Sequence, residues 1–406
     1  MAQNASSSAD RPTGGTPELH LGVALDGAGW HPAAWREPAA RPRELGSAGY
    51  WTDLASEAET GLLDFVSIED ALRVPSHDVG RVRSRVDAHL IAALVAPTTS
   101  HIGLIPTVTT THTEPFHVST AIATLDYTSR GRAGWQPRIS PTAAEAAHFG
   151  RRTIADPTPA ELAGSQPSQA LVDLFDEAAD AVEVARRLWD SWEDDAEIRD
   201  VATRRFIDRD KLHRADFSGR FFSVRGPSIT PRPPQGQPVV AALGHAPVPY
   251  EFAARAADLL FVTPTLADGP APVLALVDEA VRRAGRDGER LRVYGDVVVF
   301  LNSGTESGAE RLARLDAAAG SPFTSDAAIF AGSADDLADL LLDWSDAGVD
   351  GVRLRPGALP DDLTAITRRL VPALQARGRF RTGYPDGPLR ALLGLPSTVP
   401  NRYATV

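Results

Sequence analysis

Eight short apolar runs punctuate the chain, at residues 21–25, 64–68, 102–109, 133–139, 238–243, 259–263, 291–300 and 350–354. They are rich in Val, Ile, Leu and Phe, as strands buried on both faces require. Between them lie stretches with helical periodicity, around 50–60, 86–95, 117–128, 170–192, 249–257, 271–284, 335–346 and 361–377. Alternation of this kind predicts a parallel α/β sheet, and eight units favour closure into a (β/α)8 TIM barrel over an open sheet. Barrels of this class present their chemistry at the carboxyl ends of the strands. The residues just after each run are therefore the first candidates: Asp26, Gly27, Glu69, Asp70, residues 107–111, Gln136, residues 244–246, Thr263, Asn302, Ser303 and Arg355.

The chain has 406 residues, long for one barrel, and the surplus falls mainly in the gap of about a hundred residues between the fourth and fifth runs. We expect a single barrel over 18–383 with an insertion at about 140–235, followed by a C-terminal arm over 384–406 that packs either on the barrel or on a neighbouring subunit. Within the insertion, Leu171, Leu174, Phe175, Ala178, Val182, Ala185, Leu188, Trp189 and Trp192 share one helix face. Residues 1–17 are small, polar and rich in Pro and Gly, without the apolar centre of a secretion signal, which predicts a disordered tail and a cytoplasmic protein. The absence of cysteine rules out disulfides, thiolate zinc sites and Cys nucleophiles, and fits a reducing compartment. A formal charge of −12 argues against nucleic acid as a partner. No apolar stretch is long enough for a membrane span, and the ten histidines are scattered without metal-ligand spacing.

Several segments together resemble one family. They are Gly29-Trp30-His31-Pro32-Ala33-Ala34-Trp35-Arg36 after the first run, Asp64-Phe65-Val66-Ser67-Ile68-Glu69-Asp70 at the second, and His101-Ile102-Gly103-Leu104 through Thr107-Val108-Thr109-Thr110-Thr111 to Glu114-Pro115-Phe116-His117. Thr124-Leu125-Asp126, Gly131-Arg132-Ala133-Gly134-Trp135, Leu188-Trp189-Asp190-Ser191-Trp192, Phe222-Ser223-Val224-Arg225-Gly226-Pro227, Pro234-Gln235-Gly236, Leu389-Arg390 and Asn401-Arg402-Tyr403 continue it. This co-linear set resembles the bacterial luciferase-like flavin monooxygenases, in the branch acting on nitrilotriacetate, EDTA, long alkanes and dibenzothiophene sulfone.

The resemblance implies a two-component monooxygenase. It would receive reduced FMN from a separate NAD(P)H-dependent flavin reductase, react it with oxygen and pass one oxygen atom to a small organic substrate. It also implies a homodimer. Carried over residue by residue, it puts Asp70 beside the flavin ring, with Thr107 and Thr109, which share strand parity, and Gln136 positioning that ring. His245 and Ala246, after the fifth run, would meet the FMN phosphate, and His31 would handle a proton at the reacting oxygen. Arg353 and Arg355 end the last run, where barrels often hold phosphate, although the family holds its phosphate elsewhere.

The chain departs from the family pattern at the cofactor. Gln136 stands for an asparagine, His245-Ala246 for a pair of serines, and the His and Tyr expected before the long helix are not recognisable in residues 151–169. An F420-dependent oxidoreductase, or a non-catalytic binding protein that kept only the scaffold, is the alternative these changes leave open.

Overall fold

The computed structural model describes residues 18–404 except 163, 165, 287–289 and 305. The expected tail, 1–17, lies outside the described residues. Eight parallel strands close into a barrel: β1 His20–Leu25, β2 Phe65–Ile68, β3 Gly103–Thr109, β4 Gly134–Arg138, β5 Val239–Leu243, β6 Leu259–Val262, β7 Arg292–Leu301 and β8 Gly351–Pro356. Each pairs with the next, and β1 pairs with β8 in the register Leu21↔Val352 and Gly22↔Arg353, which completes the cylinder. The helices α1 Ala48–Thr60, α2 Ala88–Val95, α3 Pro115–Ser129, α4 Gln169–Trp189, α5 Pro247–Ala256, α6 Ala271–Ala284, α7 Gly308–Ala319 and α8 Ala334–Asp346 surround it.

Side chains that point into the barrel form layers along its axis. Phe65, Ile105, Phe261 and Tyr294 fill the middle, and Gly22 on β1 makes room for the Phe65 ring, where a Cβ would sit 2.2 Å from Cζ. The amino-terminal end is closed by Leu389, Leu392, Leu393 and Leu395, so the arm packs on its own barrel. Above the aromatic layer the interior turns polar, with Ser67, Gln136, Asp296 and Arg353 all buried.

Several of the segments that carried the resemblance meet at that closed end. Asp126 of α3 accepts from Gln235 N at 3.0 Å, Gln235 Nε2 at 2.6 Å and Ala133 N at 3.1 Å, while Gln235 Oε1 accepts from Arg390 N. Asn401 Nδ2 donates to the carbonyls of Asp190 and Trp192. These residues tie the arm and the insertion to the barrel wall.

The helix predicted at 170–192 is α4, started by the Ser168 side chain on Leu171 N. It packs against α3 and α5, where the fourth helix of a barrel belongs, so the extra chain lies on either side of it. After α4 come two short hairpins, Glu197–Asp200 with Arg205–Ile207 and Phe217–Ser218 with Ser223–Val224. A second excursion was not foreseen. Between β7 and α8 lie α7, opened by a Ser307–Glu310 capping box, and a strand, Ala328–Gly332, that extends the sheet beside the upper half of β7. Both are half-buried; the helix is weakly apolar, whereas the strand, Ala328-Ile329-Phe330-Ala331-Gly332, is a ninth short apolar run outside the count of eight.

At the start of β2 the buried Asp64 carboxylate accepts from Leu21 N and pairs with His20 and Arg381. Burial pushes this acid upward, but His20 and Arg381 outweigh it and hold it below its ordinary value of 3.8. The folded form therefore binds fewer protons than the unfolded chain, and the pair's contribution is present above 3.8 and lost as pH falls through the lowered native value. Urea titrations should show wild type losing stability more steeply than Asp64→Asn on acidification below pH 4. Parallel acid limbs would refute this.

Candidate active site at the barrel mouth

The floor of the mouth is a buried ionic lattice. Arg353 and Arg355 have the same strand parity on β8, so both side chains enter the barrel. Arg353 takes Asp296 of β7 in a two-pronged pair, Nε to Oδ1 at 2.8 Å and Nη2 to Oδ2 at 2.6 Å. Arg355 Nε reaches the same carboxylate at 2.8 Å, and its far side is covered by Asp326 at 2.6 Å. Burial alone would raise the Asp326 acid, but the Arg355 guanidinium brings it down to about 2. Arg353 lies over the Phe261 ring at 3.8 Å and Arg355 over Trp30 at 4.5 Å. Both arginines are spent on carboxylates and are at most 1% exposed, so neither is the phosphate ligand that their place at the end of the last strand suggested.

Arg353 also fixes the next layer. Its Nη1 donates to Gln136 Oε1 at 2.9 Å, Ser67 Oγ at 3.2 Å and Glu69 at 3.3 Å. With Oε1 pinned, the Gln136 amide has its Nε2 donors unspent. Directly across the ladder sits Thr107, in register with Gln136, and its buried Oγ1 has no partner among the described residues.

Two cavities open above this floor, divided by Glu69 and Arg138, which pair at 3.3 Å. One, of about 290 Å³, lies between β4, β5 and the insertion. Gln136, Arg138, His245 and Ala246 line it, facing an apolar wall that includes Leu171, Phe175 and Phe252. The other, of about 360 Å³, lies between the loop after β1 and the segment 75–86.

Of the residues expected at the site, Gln136, His245 and Ala246 share the first cavity, with Thr107 beside Gln136. Thr109 bonds instead to Thr113, Oγ1 to Oγ1 at 3.2 Å. Asp70 is not among the residues lining either cavity. Its two carboxylate oxygens accept from Ala71 N at 2.7 Å and Ala88 N at 3.0 Å, so it serves the turn and the start of α2. Alternation explains the difference: Phe65, Ser67 and Glu69 face inward, which turns Asp70 away. His31 lines the second cavity, but both its nitrogens are engaged, Nδ1 accepting from Ala33 N and Nε2 donating to Asp316 at 3.0 Å. Burial lowers its affinity for a proton, although Asp316 pulls the other way. These contacts hold a neutral ring that anchors its loop at the cavity wall.

His245 and Ala246 precede α5, whose N-cap is Ala246. Prolines at 247 and 249 remove two of the amides that a helix start normally offers an anion. The N–H groups of His245, Ala246 and Val248 remain without a partner among the described residues. Arg73 also lines this cavity.

A family model described as luciferase-like monooxygenase matches residues 29–352. The chain belongs to that family. An N-acetyl-S-(2-succino)cysteine monooxygenase from Bacillus subtilis is 30% identical over 95% of this chain and 98% of its own. Nitrilotriacetate monooxygenase component A from Aminobacter aminovorans is 29% identical over 94% and 97%. A solved long-chain alkane monooxygenase superposes with a TM-score of 0.80 at 22% identity, covering 93% of this chain and 96% of that one. An F420-dependent tetrahydromethanopterin reductase from Methanopyrus kandleri is a more distant likeness, 14% identical with a TM-score of 0.58 over 87% of this chain and 99% of that one.

As a luciferase-like monooxygenase the chain is an oxidoreductase, and the working parts of its mouth extend past those the sequence singled out. Asp296 stands as a lone acid in the apolar run of β7, a visible signal of an interior charge, but its partners on β8 are not legible without the register. Glu69 was among the strand-end residues, and counting parity from Phe65 finds it. Asp316 and Asp326 lie in or just after α7, the excursion that the periodicity missed.

Proposed function

We propose that this protein is the oxygenating component of a two-component monooxygenase, taking reduced FMN from a separate NAD(P)H-dependent flavin reductase and using O2 to oxygenate a small organic molecule. The observation that carries this reading is the cavity between Gln136 and His245, which joins an apolar wall suited to a flat ring with a polar side chain fixed at its floor. Beside it the buried Thr107 hydroxyl has no partner among the described residues, which is costly unless a ligand meets it, and Gln136 Nε2 donates to none of them. Bound reduced FMN would supply the electrons and the site of oxygen activation.

The chain's own part is placement and shelter. Gln136, pinned by Arg353, and Thr107 would hold the ring's polar edge. The free amides of His245, Ala246 and Val248, with the His245, Arg73 and Arg138 side chains nearby, would meet the anionic end. Segment 72–86 roofs the second cavity, latched by Trp35 Nε1 to Gly80 O at 2.9 Å and Arg85 to Asp26 at 2.9 Å, which keeps water from the reaction.

Anaerobic titration with reduced FMN and with reduced F420 tests the reading, followed by oxygen and a search for 18O in product. Reduced FMN should saturate one site. Thr107→Val and Gln136→Ala should each weaken it about tenfold, the loss of roughly 1–1.5 kcal/mol for one buried neutral hydrogen bond. Absence of saturable FMN binding, or preference for F420, would end it.

We also place the protein in the cytoplasm as a homodimer. Leu90 and Leu94 on α2 and Tyr127 on the adjacent α3 are exposed at 64%, 39% and 44%, an apolar face suited to a second copy. Among the described residues no helix is long and apolar enough to cross a membrane. Sedimentation should give twice the 43.2 kDa chain mass, and Leu90→Glu with Leu94→Glu should give monomer. A monomeric wild type would refute the pairing.

A further inference from the structure

The second cavity, beneath segment 72–86, holds guanidinium donors that its own acids leave partly unspent, and these point to its ligand. Four charged side chains line it: Asp26, Glu69, Arg81 and Arg85. Asp26 is committed to Arg85, both its oxygens lying 2.9 Å from the single atom Nη2. Glu69 is committed to Arg138 and Arg353. Both acids are thus neutralised from within the protein.

The guanidiniums are not equally spent. Arg85 uses only Nη2, and its Nε is buried with no partner among the described residues. Arg81, 39% exposed at the cavity rim, has one distant ion pair, Nε to Asp78 Oδ2 at 3.5 Å, and its terminal nitrogens face solvent without a hydrogen bond among the described residues, so of the two only the Arg85 Nε is a buried orphan. A buried donor without a partner is expensive, and two guanidiniums on one wall present the planar donors that match a carboxylate. The remaining walls include the rings of Trp30, Trp35, Trp51 and Phe323. At about 360 Å³ the space falls in the range of small-molecule sites.

We infer that this chamber takes an organic carboxylate with a flat or apolar body, the acid group held by Arg81 and Arg85 and the body packed among the tryptophans and Phe323. The inference rests on the oxygenase reading for its consequence: the carboxylate orients the molecule so that its apolar part faces the mouth, where the oxygen atom is delivered. The chamber therefore selects the charged acid over its neutral counterpart.

Calorimetric titration at pH 7, on the full chain alone and with excess FMN present, tests it with benzoate, phenylacetate and 3-(phenylthio)propanoate, each against its primary carboxamide. At least one acid should bind ten times more tightly than its amide. Arg81→Gln should erase that preference and Arg81→Lys should restore part of it, with melting temperatures showing that each variant is folded. Failure of every acid to bind in both conditions, equal binding of the amides, or an undiminished preference in Arg81→Gln would overturn it. Saturable reduced FMN binding beside a missing acid preference removes this inference and leaves the oxygenase reading. Acid preference without flavin binding does the reverse.

Discussion

Asp296→Ala should lower the free energy of unfolding by about 3–5 kcal/mol, the usual cost of stranding a buried charge. Asp296 is fully buried and answers two guanidiniums at once, four of whose nitrogens point at its carboxylate. Without it Arg353 retains the amide of Gln136, the Ser67 hydroxyl and a longer contact to Glu69, while Arg355 has only Asp326. Urea denaturation gives the stability change directly, and a loss under about 1 kcal/mol would show that the lattice is not held by this acid. The same variant should weaken reduced FMN, because Arg353 then no longer fixes the face that Gln136 presents. Replacing Asp296, Arg353 and Arg355 together by Leu, Met and Leu separates the two effects. An apolar substitute of similar volume can match a buried ion lattice in stability, so this triple variant should regain much of the folding energy without regaining flavin affinity.

Arg132→Met is expected to cost a similar amount, roughly 3–5 kcal/mol, through backbone acceptors. Arg132 is buried just before β4 and donates to the carbonyls of Ser129 at 2.7 Å, Ile102 at 2.6 Å, Ala96 at 2.8 Å and Thr99 at 2.9 Å, and to the Thr99 hydroxyl. It gathers the end of α3, the chain leading into β3 and the end of α2 around one planar group. Methionine fills the stem but donates to none of the four carbonyls. Lysine should rescue little, since three donors on a point charge cannot reach five acceptors spread about a plane. Because Arg132 sits at the closed end of the barrel, the folded fraction should bind reduced FMN as wild type does. A selective loss of flavin affinity, or a loss below about 1 kcal/mol, would contradict this account.

The barrel was legible because double burial forces strands to be apolar throughout, and β1 to β8 each left such a run. Helix α7 escaped for the complementary reason, since it keeps one side wet, while the strand Ala328–Gly332 is apolar throughout and escaped because a ninth run does not fit a repeat of eight units. The site was legible only in part. Strand ends named residues that the fold brings together, since Gln136, His245 and Ala246 share a cavity. Which of two adjacent acids faces inward depends on the pleat, and that turned Asp70 into a helix-start ligand and Glu69 into a lining residue. His31 read as a proton carrier because its carboxylate partner, Asp316, lies 285 positions away in α7, and no local pattern pairs the two. Arg353 and Arg355 looked like free cations at a strand end, and only the register of β7 with β8 shows that one aspartate claims them both.

The two prolines that open α5 have a consequence for how a cofactor would come and go. A helix start that is short of amide hydrogens offers an anion fewer backbone donors, so on the proposed placement the grip on the tail would rest on His245, Arg73, Arg138 and the three remaining amides. A catalyst supplied by diffusion from a separate enzyme must discharge spent flavin every cycle before it can accept fresh. If the cofactor's anionic end sits at this helix start, restoring donors there, by Pro247→Ser with Pro249→Ser, would trade quick exchange for retention.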